Sequence, residues 1–274
     1  MTNGPHNYRF SMTELPFETL AGARRDLLFL CDHAANAVPP AYGTLGLAPA
    51  LFGTHIASDI GAATVTRALA AAFDAPAVLA RWSRLLIDLN RGADDPTLVM
   101  KLSDGSIIPG NAGADAAEVA RRIADYHAPY HAAIADALDA MASAPTIVPA
   151  IVPAIVSMHS FTPVWKGWQR PWDVGVLWDR DGRLARPLIA ALTAAGFVVG
   201  DNEPYSGELE NDCLYRHGTM RGLPHVLIEI RQDRIGDAGS ARAFAARLEP
   251  ILARALAAMG PVGLDFTRGR KDDG

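Results

Sequence analysis

Short apolar runs of strand length alternate along this chain with longer Ala-rich stretches of helical period. Leu27–Cys31 reads as a buried strand that stops abruptly at Asp32-His33. His55 to Phe73 carries a helical pattern, with Thr54 placed to cap its start. Ala77–Ala80 and Leu85–Leu89 read as strands, and Asp115 to Met141 as a helix that Pro129 must kink or divide. Ile151–Met158, Val174–Leu177, Phe197–Val199 and His225–Ile230 are further strands. Arg183 to Ala195, closed by Gly196, and Ala241–Met259 complete the helices. This alternation predicts an α/β fold with a mixed, mainly parallel central sheet flanked by helices on both faces. No linker interrupts it, so residues 1–274 are expected to form a single domain, with 1–24 and 262–274 peripheral.

Composition narrows the partners. The chain has 274 residues, 50% of them hydrophobic, enough to bury a sizeable core. A formal net charge of −5 argues against nucleic acid or an anionic membrane as partner. No apolar run reaches membrane-spanning length, because Pro149 and Pro153 break the longest candidate. The start of the chain lacks a basic region followed by an apolar core, and two cysteines cannot make a disulfide scaffold. A cytoplasmic protein acting on a small molecule is the expectation, with the oligomeric state left open.

Open α/β sheets bind ligands outside the carboxyl ends of their strands. Those positions here are unusually polar. One strand ends in Asp32-His33, another in His159-Ser160, a third runs into Glu229-Ile230-Arg231, and a fourth contains Asp88 and ends in Asn90-Arg91. Two histidines and a carboxylate, with a further carboxylate as base, are the parts of a hydrolytic zinc site that keeps one position for water. Taken alone, either histidine is more often structural than a ligand, and it is their shared placement at strand ends that favours a site. His127 and His131 share one helical face by their spacing, but Pro129 lies between them with no carboxylate, which favours a packing pair. Cys31 precedes Asp32, and strand alternation points it away, as a buried thiol rather than a nucleophile. G-x-S-x-G, HExxH, Walker A and G-x-G-x-x-G motifs are all missing.

The segments CDHAANAVP, SRLLIDLNR, SMHSFTPV, WDVGVLWDRDGRLARPLIAAL, DNEPYSG and LPHVLIEIRQD occur in that order. Together, over about residues 25 to 260, they resemble the N-formylglutamate amidohydrolase family, which is similar in fold to zinc-dependent exopeptidases and carboxypeptidases. The resemblance implies His33 and His159 as metal ligands and Glu229 as general base. Carboxypeptidases carry an acid three residues after the first histidine, where this chain has Asn36. Asp59 is the replacement the resemblance favours, against its reading as a carboxylate in a first helical turn. Asn90-Arg91 resembles the pair that holds a substrate carboxylate, a task suited to a guanidinium fork. Arg84 holds a second carboxylate or pairs with Asp88. Asn202 and His217 are further candidates for substrate binding, with Tyr205 and Ser206 on a loop over the pocket.

The resulting expectation is an enzyme with one divalent metal per chain, Zn2+, that cleaves the linear amide of a small carboxylate substrate of the N-formylglutamate type. A zinc carboxypeptidase or a deacylase of other acyl groups is the alternative within enzymes. A non-catalytic ligand-binding member of the fold is the alternative outside them.

Overall fold

The structure, a computed structural model, describes residues 15–143 and 152–259. Its frame is a sheet of seven strands: β1 (Phe17–Leu20), β2 (Leu27–Cys31), β3 (Ala77–Ala80), β6 (Ala154–Phe161), β9 (Val174–Leu177), β10 (Val199–Asp201) and β11 (His225–Arg231). Two small hairpins, β4 (Leu102–Ser103) with β5 (Ser106–Ile107) and β7 (Val164–Trp165) with β8 (Trp168–Gln169), lie outside it. The helices are α1 (Ala62–Phe73), α2 (Pro109–Ala112), α3 (Ala116–Arg122), α4 (Ala128–Ala142), α5 (Gly182–Ala194), α6 (Cys213–His217) and α7 (Ala238–Ala258).

The strand order is β1-β3-β2-β6-β11-β9-β10. β3, β2, β6 and β11 are parallel neighbours, β9 runs antiparallel to β11, and β1 antiparallel to β3. The sheet is therefore mixed and mainly parallel, as the alternation predicts. β2 is buried at all five positions, because a central strand covered on both faces has no reason to alternate. Its odd residues Leu27, Phe29 and Cys31 pack with α1, α5 and α7, while Leu28 and Leu30 pack on the other face under Tyr130, Ile134 and Leu138 of α4. Cys31 thus points away from Asp32, and burial pushes its thiol pKa up, consistent with an inert core position. Among the described residues no helix is long and apolar enough to cross a membrane.

Several element boundaries differ from the sequence expectation. The helix expected from His55 begins at Ala62, after Gly61 in a left-handed conformation. A side chain at Gly61 would lie 2.2 Å from the Ile235 carbonyl, so only glycine fits this turn. Thr54 therefore does not cap the start of α1; it closes the 3-10 turn Pro49–Gly53, its N–H and hydroxyl both donating to the Leu51 carbonyl. Leu85–Leu89 is not a strand. Leu85, Leu86, Ile87 and Leu89 are buried in a series of turns, with Leu86 N bonded to Ser83 O and Arg91 N to Asp88 O. The free carbonyls of this loop are met by side chains: Asn111 Nδ2 donates to Leu85 O and buried Arg122 donates to Leu86 O, each at 2.8 Å or less. Burial of that apolar run thus needs no sheet ladder.

Asp115 caps the predicted long helix by accepting from Glu118 N at 2.9 Å. A π-helical turn, Ile123–His127, then joins α3 to α4, and Pro129 follows it in the first turn of α4. β6 lies farther along the chain than expected, so His159 is inside the strand; Ile151, its expected start, lies outside the described residues. β10 is shifted likewise, and β1 was not anticipated.

Candidate functional site

The parity of two parallel strands brings the polar groups together. On β6, Ala154, Val156 and Met158 face α1 and α7, so Ser157 and His159 face the other way. On β11, Val226, Ile228 and Ile230 take the first face and Glu229 the second. The register pairs Glu229 directly with His159. His33, just past the end of β2, meets His159 edge-on, with ring centroids 4.9 Å apart at 87°.

Asp59 arrives from the irregular segment before α1. Its backbone N donates to His33 O at 3.0 Å, which holds the segment against the end of β2. Its Oδ2 lies 3.3 Å from His33 Nδ1 and 2.8 Å from His159 Nδ1, and accepts from Ser160 N at 3.2 Å. Donor atoms of His33, Asp59 and His159 all fall within 4.8 Å of one another, and all three residues are buried. Asp59 therefore does not sit in a helical first turn. Asn36, exposed, donates to Phe52 O at 2.7 Å and takes no part.

Each imidazole is backed by a carboxylate on its other nitrogen. His33 Nε2 lies 2.7 Å from Asp88 Oδ1, and His159 Nε2 lies 3.1 Å from Asp32 Oδ2. Asp32 is held in turn by Tyr130 Oη at 2.6 Å and Ser157 Oγ at 3.3 Å. Asp88 accepts from Arg84 at 2.7 Å and from Asn90 N at 3.0 Å. This is the arrangement that orients metal-binding histidines and raises their basicity. Sequence reasoning saw Asp32 and Asp88 but gave them no such role. The available signal was a lone acid inside an apolar run, LFLCDH and RLLIDLNR, since a buried carboxylate needs a partner.

The electrostatics set buried carboxylates against two imidazoles and Arg84. Burial opposes ionisation of Asp59, but the charge of His33 and the hydrogen bond from His159 outweigh it and hold the carboxyl below its usual range. Burial likewise opposes ionisation of Asp32 and Asp88, and His159 and Arg84 respectively reverse the balance. Against the same burial, the neighbouring carboxylates hold both imidazoles above the usual histidine value. Glu229 differs: burial pushes its carboxyl up to about 7, and its Oε2 has no hydrogen-bond partner among the described residues. Two imidazoles that give up their protons to an incoming cation and a carboxylate, ringed by further carboxylates, suit a divalent cation.

A cavity of about 400 Å³ opens over these groups, lined by His33, Asp59, Arg84, Asn90, Arg91, His159 and Glu229 among others. Arg84 is largely committed, to Asp88 and, at 3.6 Å, to Asp59. Arg91 is the freer guanidinium, 3.4 Å from Asp95 and 4.0 Å from Asp88. Asn90 Oδ1 accepts from Cys213 N, so this amide also ties down α6. Tyr205 and Ser206 line the cavity as expected of their loop.

Two candidate substrate binders are placed elsewhere. Asn202 is buried off the cavity, its Oδ1 accepting from Trp178 N and Gly207 N and so anchoring that loop. His217 lies in a separate buried cluster, its Nε2 2.9 Å from His131 Nδ1. His131 Nε2 is 3.1 Å from His127 Nε2, which reaches Arg91 O at 2.9 Å. Burial keeps all three rings toward their neutral forms. With neutral rings, His127 Nε2 donates to Arg91 O and His131 Nδ1 donates to His217 Nε2, so the pair predicted for packing links α4, α6 and the Arg91 backbone, while the 3.1 Å approach of His131 Nε2 to His127 Nε2 has no hydrogen of its own.

Residues 25–236 match the N-formylglutamate amidohydrolase family. The chain belongs to that family. It spans most of the chain, and the family is one of hydrolases acting on amide bonds. Among solved structures, a gene product of Agrobacterium tumefaciens is 33% identical, with a TM-score of 0.83 over 90% of this chain and 97% of that one. An N-formylglutamate amidohydrolase from Ralstonia eutropha shares the fold at 21% identity, with a TM-score of 0.68 over 88% of this chain and 97% of that one. No curated protein matches the chain.

Proposed function

We propose that this protein is a metal-dependent amidohydrolase that cleaves the linear amide of an N-acyl amino acid, the reaction typified by N-formylglutamate. The observation that carries the reading is the convergence of His33, Asp59 and His159 donor atoms within 4.8 Å, beside buried Glu229. His33, Asp59 and His159 would hold a divalent cation there, and Zn2+ suits two imidazoles and a carboxylate. When bound, it lowers the pKa of a water and polarises the amide carbonyl.

The remaining steps belong to the chain. Arg91 binds the carboxylate of the substrate and, with Asn90 and Arg84 beside it, fixes the amide over the metal position. Glu229 Oε2 accepts the proton of the attacking water and returns it to the leaving nitrogen, a role suited to a carboxyl poised near neutrality. Water is limited by the loop carrying Tyr205 and Ser206, which lines the cavity. The products are the acid and a free amino acid, formate and glutamate for the type substrate. The test is metal analysis of protein purified without chelator, followed by hydrolysis assays on N-acyl amino acids. About one zinc per chain with turnover is expected; a metal-free protein inert after zinc addition would sink the reading.

Arg91→Lys keeps the charge but loses the planar fork. Its kcat/KM on free N-acyl amino acids should fall roughly 10- to 150-fold, the equivalent of a charge-assisted hydrogen bond. The corresponding amides, which lack the carboxylate, should be nearly unaffected. Equal losses on both substrates would make Arg91 a structural partner of Asp95 and Asp88.

Asp32→Asn should weaken zinc retention about 10- to 100-fold, the usual effect of removing the carboxylate behind a ligating histidine. Competition against a chromogenic chelator measures it. An unchanged dissociation constant would mean that Asp32 supports only the Tyr130 and Ser157 contacts.

A further inference from the structure

The amidohydrolase reading leaves the identity of the amino acid open, and the following rests on that reading. A glutamate derivative presents two carboxylates after its amide is bound. Among the described residues lining the cavity, Arg84 and Arg91 are the Arg or Lys side chains. Arg84 spends Nε and Nη2 on Asp88, at 3.2 and 2.7 Å, and its Nη1 is 3.6 Å from Asp59. The Arg84 charge is thus offset by two carboxylates, which leaves Arg91 as the freer cation, enough for one carboxylate.

The rest of the cavity runs in another direction. Glu229, Leu227 and His225 alternate onto one face of β11, and all three line the cavity. Four residues of strand span roughly 13 Å, so a branch descends that far along the sheet below the proposed base. Leu177 lies in register beside Leu227 on the neighbouring strand, making an apolar floor. Leu214 of α6 and Trp178, just past β9, supply apolar wall. The charged groups of this branch are acidic, Asp179 and Asp212, and burial pushes the Asp212 carboxyl up to about 7. Neither supplies a cation for a second carboxylate. His225 cannot serve as a cation, since burial lowers its pKa while its ring bonds Leu223 O and Thr219 Oγ1. A cavity of about 400 Å³ is also of the size that drug-sized ligands fill, more than a formyl group and a glutamate require.

We propose that the substrate of this chain is an N-acyl amino acid with a single carboxylate and a large uncharged apolar group, which lies along β11 between Glu229 and His225. The recognition follows from the lining: Arg91 takes the carboxylate, and Leu177, Leu214, Leu227 and Trp178 take the apolar group. Leu227 and Leu214 are then specificity-determining residues.

The experiment compares kcat/KM of the full zinc-loaded chain on N-formylglutamate, N-formylglycine, N-formylleucine, N-formylphenylalanine and N-octanoylglycine. At least one of the three substrates with a large apolar group should exceed N-formylglutamate by ~10-fold or more, since each buried methylene is worth about 4-fold. Leu227→Phe, which fills the branch, should cut the advantage of that substrate over N-formylglycine by at least ~10-fold, and Leu214→Phe provides an independent second blockade. Preference for N-formylglutamate over all of these would overturn the inference and leave the amidohydrolase reading standing. If no substrate turns over, that reading fails, and calorimetric titration of the same chain with N-octanoylglycine and N-formylglutamate still decides the inference. Tighter binding of N-octanoylglycine upholds it, and tighter binding of N-formylglutamate overturns it.

Discussion

His159→Ala should strip the protein of its zinc and abolish amide hydrolysis. The ring contributes Nδ1 to the donor cluster and faces Asp59 Oδ2 at 2.8 Å, so two remaining donors would have to hold the cation. A second consequence follows from its other side. Asp32 and Asp59 are buried carboxylates whose ionisation is sustained against burial by His159, among other groups. Removing the imidazole leaves both short of a partner, and breaking a buried pair in this way costs about 3–5 kcal/mol. Tyr130, Ser157 and Ser160 still bond the two acids, and the core on the α1 face is untouched, so the variant should fold with a lower denaturation midpoint. Metal content by plasma emission and a urea titration in the presence of chelator measure the two effects separately. Full metal occupancy in the variant would remove His159 from the ligand set.

Glu229→Gln should bind zinc and substrate as before and lose at least ~100-fold in turnover, the usual share of a general acid-base group. Glutamine preserves the volume and hydrogen-bonding shape of the side chain but cannot accept a proton. The position is buried at the cavity wall, in register with His159 on one side and Gly175 on the other, so a shape-preserving change is the informative one. Thermal stability should be kept or raised. Burial disfavours the ionised carboxyl strongly enough to bring it up to about 7, and the neutral amide carries no such penalty. Single-turnover kinetics with the metal content fixed is the measurement. Turnover near that of the unaltered chain would transfer the role of base to another carboxylate, with Asp59 the first to examine.

Much of the frame was legible in advance. Leu27–Cys31, Ala77–Ala80 and Val174–Leu177 are strands at the predicted residues, because a continuous apolar run between turn residues has few alternatives in a sheet covered on both faces. Leu85–Leu89 has the same local character and failed. Its backbone groups found partners in turns and in Asn111 and Arg122, residues distant in sequence whose contribution no local pattern reveals. The helix predicted from His55 failed in a related way. Residues 55–61 have a helical period, but Gly61 lies against the Ile235 carbonyl and Asp59 is drawn toward His33.

The candidate site divides along the same line. His33, His159 and Glu229 were legible because each sits at or near the carboxyl end of a predicted strand, and strand parity alone decides which of their neighbours share a face. Asn202 and His217 were chosen for their loops, and the structure uses them to hold backbone and to join helices instead. Asp32 and Asp88 show how a correct position can lack a role until its partner is known, since 127 residues separate Asp32 from His159. The sequence by itself determined the alternation of strands and helices, the face that each strand residue takes, and the chemical types gathered at the strand ends, all consequences of periods of two and 3.6 residues that act locally. Only the tertiary structure decided that Asp59 rather than Asn36 joins the two histidines, that Arg84 is consumed by Asp88, and that an apolar branch descends from Glu229. Those outcomes depend on where loops cross the sheet, and loops are placed by contacts between residues far apart in the chain.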